Sequence, residues 1–139
     1  MKKIISCLVA LLMCCSIGGI TSLAAVIPDG SIASPCYEYT DNLTTTLSIS
    51  NGKASCRTTI YGNSTKATKI VVTQYLEKKN GKSWDEVTHW TDTFNNWWCN
   101  CTNSYTVTES GTYRLRTEAK VYCGTKYENV DITSTEQIV

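Results

Sequence analysis

From residue 43 onward, apolar and polar residues alternate in short runs broken by glycine and asparagine, and no stretch has the apolar spacing of a helix. Leu43, Thr45, Leu47 and Ile49 share one side of a first strand at residues 43–50. Asn51-Gly52 then supplies the left-handed backbone that a tight hairpin needs. The chain returns over residues 53–61 with Ala54, Cys56, Thr58 and Ile60 on one face, and Gly62-Asn63-Ser64-Thr65 is a loop. A third strand at residues 69–78 points Ile70, Val72 and Leu76 inward, and Asn80-Gly81 turns it into a fourth at residues 83–94. There Trp84, Val87 and Trp90 change parity, which predicts a bulge and places Trp84 and Trp90 in the core. Residues 95–103 break the pattern and read as a loop, followed by a short strand at residues 105–108. The clearest run is residues 112–123, where Tyr113, Leu115, Thr117, Ala119, Val121 and Cys123 alternate with Arg114, Arg116, Glu118, Lys120 and Tyr122. Gly124-Thr125 turns it into a last strand at residues 127–133, which the final residues extend or leave frayed. The whole predicts an all-β domain of seven strands.

The N-terminus has a different character. Lys2 and Lys3 precede an apolar run at residues 4–20, and Ser22, Ala24 and Ala25 give the small residues of a processing site. This predicts a cleaved signal peptide at residues 1–24, with a cut after Ala25 nearly as suitable. Cys14, Cys15, Ser16, Gly18 and Gly19 interrupt the apolar run, which disfavours a permanent anchor, and Leu12-Met13 before Cys14 does not suit lipid attachment. Residues 25–42 then form an N-terminal segment that could add an edge strand, and residues 43–139 form the sandwich. Without its leader the chain has about 115 residues, enough for one two-layer core. Loss of Lys2 and Lys3 takes the balance of 13 basic and 12 acidic residues to about −1. Nucleic acid and anionic membranes need a clustered positive field, so neither is an expected partner, and no stable membrane insertion is expected after cleavage. The expected location is outside the cell.

Ser110-Gly111-Thr112-Tyr113 resembles the tyrosine corner of immunoglobulin-like and fibronectin-like sandwiches, and seven strands with frequent turn signals resemble those folds over residues 43–132. The resemblance implies a seven-stranded immunoglobulin-like antiparallel sandwich in which Tyr113 has a structural role, its hydroxyl bonded to backbone a few residues upstream. Leu115 stands where the antibody pattern has its second core cysteine, and the third strand lacks the buried tryptophan, so the match is to architecture alone. The pattern is also similar to a family of small secreted bacterial proteins of unknown function. In such a fold Cys56 lies beside Leu115, far from Cys123. The loops after the fourth and sixth strands share one end, which makes Cys99 or Cys101 the partner of Cys123. The implied bridges are Cys101–Cys123 and Cys36–Cys56, with Cys99 the spare thiol that could also link two chains.

Other chemistry is sparse. Cys99-Asn100-Cys101 could instead be a redox pair or half of a metal site, but the spacing is narrow and His89 is the single histidine. No nucleophile elbow, phosphate loop or zinc-protease helix is present, and Asp85, Glu86 and Asp92 sit on an exposed hairpin strand. The expected protein is therefore not an enzyme and uses no cofactor or metal. Adjacent Trp97 and Trp98 in an asparagine-rich segment cannot both point inward, so at least one meets solvent. The expected function is a secreted recognition module that contacts an extracellular protein or glycan through the end bearing Trp97, Trp98, Tyr122 and Gly124. The alternatives are a carbohydrate-binding module using exposed aromatics, and a small exported toxin or antimicrobial protein, against which the near-neutral charge counts.

Overall fold

A strand that is apolar on one side only must press that side against another sheet, and this chain does so twice over. The computed structural model describes residues 37–139 and contains eight strands, with no helix among the described residues. They are β1 (Thr40–Ser50), β2 (Lys53–Gly62), β3 (Lys69–Asn80), β4 (Ser83–Phe94), β5 (Trp98–Thr106), β6 (Thr112–Cys123), β7 (Lys126–Thr133) and β8 (Gln137–Ile138). One antiparallel sheet has the order β1-β2-β5. The other has the order β4-β3-β6-β7, and β8 pairs with the start of β6. Asn51 and Gly52, with φ of 50° and 71°, make the β1–β2 turn. The β3–β4 register slips between Leu76 and Glu77, which leaves Val87 without a partner: this is the bulge that the changing parity signals. The predicted signal peptide and Cys36 lie outside the described residues.

The interior is divided. Ile60, Ile70, Val72, Cys99, Ala119 and Val121 pack in one apolar cluster. Leu47, Ala54, Cys56, Leu76, Tyr113 and Leu115 pack in a second, which puts Cys56 with Leu115. Between the clusters the buried polar residues Thr45, Thr58, Thr117 and Gln74 form a belt across both sheets. Thr58 Oγ1 lies 3.0 Å from Thr45 Oγ1 and 2.9 Å from Thr117 Oγ1, and those two are 3.1 Å apart. Gln74 Nε2 donates to Thr58 Oγ1 at 2.8 Å, and Gln74 Oε1 accepts from Asn103 Nδ2 at 3.0 Å. Polar groups are tolerated at this depth because they satisfy one another, and no buried side-chain nitrogen or oxygen among the described residues lacks a partner. Tyr113 Oη donates to the Glu109 carbonyl oxygen at 2.8 Å and pins the turn before β6.

The structure departs from the sequence reading in four places. Residues 98–103 are strand, not loop: β5 runs from Trp98 to Thr106 and pairs with β2 without a slip from Tyr61↔Trp98 to Lys53↔Thr106. Its alternation is real but inverted in hydropathy, because the thiols of Cys99 and Cys101 face the core while Trp98 faces water. β1 begins at Thr40, three residues before the apolar signal, where Glu128 of β7 accepts hydrogen bonds from the Glu38 and Tyr39 amides and the Thr40 hydroxyl at 2.8, 2.9 and 2.7 Å. The final residues form β8 instead of lengthening β7. Trp84 is not in the core. The Arg114 guanidinium lies 4.2 Å from its ring centre, on the outer face of the second sheet, while Trp90 packs against the second cluster.

Candidate functional site

Tyr61 ends the outward series of β2 and Trp98 begins that of β5, and the register makes them directly opposite neighbours on one face. Their rings are 6.5 Å apart, with planes only 21° from parallel. Trp97 joins them from the turn before β5, 6.2 Å from Tyr61. Gly62 makes this approach possible: its amide donates to the Trp97 carbonyl at 2.7 Å, and a Cβ on it would stand 2.9 Å from that oxygen and 2.6 Å from the Ala67 Cβ. Tyr61, Trp97 and Trp98 keep 43%, 38% and 42% of their surface exposed. Next to them on the same face the register sets Thr59 opposite Asn100 and Arg57 opposite Thr102, so the aromatic group opens onto a polar platform. Asn95 and Asn96 in the adjoining turn are exposed as well.

Trp97 and Trp98 thus stand together, whereas Tyr122 and Gly124 share their end of the molecule but lie on the other sheet. Gly124 N donates to Thr68 Oγ1 at 3.2 Å. Tyr122 is tilted against Tyr127 at 5.2 Å and covered by Lys69 Nζ at 3.9 Å. Tyr61 is the exposed aromatic neighbour of Trp97 and Trp98 that sequence reasoning missed. Its outward parity is legible from inward Ile60, but the tryptophan facing it falls in a segment whose polarity reads as loop.

Tyr122 borders a second feature, an open groove of about 600 Å³ on the outer face of β3, β6 and β7, which Glu118, Lys120, Asn129 and Asp131 also line. Glu118 and Asp131 are opposite in register. Partial burial and the charge of Glu118 push the Asp131 carboxyl up from its ordinary range, against the pull of Arg116. Arg116 Nη1 pairs with Glu118 and lies 4.0 Å from Asp131 Oδ2. Arg116 Nε also holds Glu77 at 2.8 Å, and Glu77 is shared with Arg114 at 2.6 Å. Both groove carboxylates thus sit against one guanidinium on an open, solvated face, as in an ordinary surface ion-pair network.

The cysteines are not placed as the sequence implied. Cys56, Cys99, Cys101 and Cys123 are free thiols in the structure, so the expected Cys101–Cys123 bridge is not formed. Cys101 faces the interior, where its thiol donates to Asp92 Oδ2 at 3.2 Å, while Cys123 ends β6 in a half-buried position. Burial pushes the thiols of Cys56 and Cys99 up to about 11; burial, followed by the Asp92 hydrogen bond, pushes Cys101 up to about 12. Protonated, enclosed thiols are poor nucleophiles and poor ligands. Among the described residues, no group of three or more His, Cys, Asp or Glu is placed to hold a metal ion.

No family model matches the chain, and no curated protein matches it in sequence. Among solved structures it is similar to wild-type OgpA from Akkermansia muciniphila, with a TM-score of 0.44 and 10% identity over 77% of this chain. The chain spans 33% of that protein, and a likeness this slight carries no argument about fold or function.

Proposed function

We propose that this protein is an exported, non-catalytic recognition module with an immunoglobulin-like sandwich, and that its ligand is a glycan held on Tyr61, Trp97 and Trp98. The observation that carries the reading is the exposed aromatic group itself. Two rings with near-parallel planes, half open to water and continued by asparagine and threonine side chains, suit the apolar face and hydroxyl rim of a sugar ring. The strand orders β1-β2-β5 and β4-β3-β6-β7, together with the Tyr113 to Glu109 bond, support the immunoglobulin-like assignment. The leader at residues 1–24 supports export. The open, ion-paired setting of the groove carboxylates and the enclosure of the Cys56, Cys99 and Cys101 thiols support a role without catalysis.

The test is a glycan array followed by tryptophan-fluorescence titration of the best ligand. Tyr61→Ala and Trp98→Ala should each weaken binding about tenfold or more, corresponding to about 1.4 kcal/mol for a lost stacking contact. Tyr127→Ala, on the other sheet, should leave it unchanged. Equal affinity in all three variants, or no retained glycan at about millimolar concentration, refutes the reading. Turnover of a bound glycan that Glu118→Gln abolishes would refute its non-catalytic part.

A further inference from the structure

The sheet edges of this molecule are not alike. β4 is bent by the bulge at Val87 and carries Asp85, Glu86 and Asp92. β7 carries Lys126, Glu128 and Asp131. β1 has a register shift between Thr40 and Asn42, carries Asp41 and is tied down at its start by Glu128. β5 has none of these devices. It closes the order β1-β2-β5, so its far edge has no partner among the described residues. Its nine residues, Trp98 to Thr106, are in unbroken register with β2 and include no charged residue and no proline. A long, straight, uncharged edge presents a row of free amide and carbonyl groups that a further strand can pair.

We propose that this edge is where a second copy of the chain binds, β5 against β5 in antiparallel, giving one continuous six-stranded sheet. The strand is self-compatible about its midpoint at Thr102. There Thr102 faces Thr102 of the copy, Asn100 faces Ser104 and Trp98 faces Thr106, so no charges oppose and the hydroxyl and amide pairs are of a kind that stabilises neighbouring strands. The inward residues Cys99 and Cys101 keep their buried places. A near-neutral chain adds no long-range repulsion between copies. Opposite residues in an antiparallel pair share a face, so the two Trp98 side chains emerge on the same side of the joined sheet, about 27 Å apart along the strands. One strand pair is a small interface, so the dimer is expected at a dissociation constant of about 100 μM. The pairing stands whether or not Trp98 touches a sugar.

Sedimentation velocity on the exported protein from about 10 μM to 1 mM reads the association directly. Asn100 and Ser104 are exposed and face Thr59 and Ser55 within the chain, so substitutions there leave the fold intact. In the double variant N100K/S104K, like charges oppose twice across the joint, and the dimer should loosen about tenfold or more. In N100K/S104E, opposite charges meet twice, and the dimer should be as tight as the wild type or tighter. Thermal melts check that both variants fold. A wild type that stays monomeric at about 1 mM overturns the proposal. Equal dimerisation of the two variants overturns it too, as does a dimer that Thr46→Lys on β1 abolishes while N100K/S104K does not.

Discussion

Replacing Thr58 by valine keeps the shape of the side chain and removes one oxygen from the centre of the polar belt. That oxygen meets the hydroxyls of Thr45 and Thr117 and accepts from the Gln74 amide at 2.8 Å. Thr45 and Thr117 retain each other at 3.1 Å, but the Gln74 amide nitrogen keeps only the Cys101 carbonyl, at 3.5 Å. A buried donor left nearly alone costs about 1–3 kcal/mol, and the lost hydroxyl pairings add about 1 kcal/mol. The extra buried methyl group returns about 1 kcal/mol, for a net loss of about 2 kcal/mol. In a domain of this size, that lowers the melting temperature by about 8–16 °C, readable by calorimetry or by urea unfolding followed through tryptophan emission. The adjoining Thr46 is exposed, so Thr46→Val should stay within about 0.5 kcal/mol of wild type. Because Thr58 and Gln74 share one bond, Thr58→Val with Gln74→Leu should cost less than the two single changes added together. A Thr58→Val protein as stable as Thr46→Val, or strict additivity in the double variant, would refute the view that this belt is a satisfied, coupled network.

Three further outcomes follow from the enclosed thiols and the tight end. At pH 8 iodoacetamide should modify Cys123 readily and leave Cys56, Cys99 and Cys101 unmodified until the protein unfolds, which peptide mass spectrometry checks; rapid labelling of the three would refute their enclosure. Their folded-state pKa values of about 11, 11 and 12 lie above the ordinary 9.0, so their stabilisation is complete below pH 9 and is lost as pH rises from there through 11 to 12. Urea midpoints should accordingly fall across that interval, and fall less in Cys101→Ala once its lower starting stability is subtracted. Gly62→Ala should cost about 2 kcal/mol, because its methyl would meet the Ala67 side chain and the Trp97 carbonyl, and should shift tryptophan emission to the red; a variant with unchanged stability and spectrum would contradict the packing described for that end.

Sequence by itself determined the strand count, to within the two-residue β8, and most boundaries, because alternation records which side of each strand is wet. The run from Tyr113 to Cys123 and the Asn51-Gly52 turn were fully legible for that reason. It failed where polarity and direction part company. In β5 the buried side is thiol and the exposed side starts with tryptophan, so the hydropathy of the run opposes its geometry, and only pairing with β2 makes it a strand. Trp84 reads as core by composition but finds a guanidinium on the outer face, a partner 30 residues away that no local pattern announces. Tertiary structure alone set Tyr61 against Trp98, gathered Thr45, Thr58, Gln74 and Thr117 into one belt, and kept Cys101 apart from Cys123. Each of these depends on register between strands distant in the chain, and register is fixed by the packing of two whole faces at once.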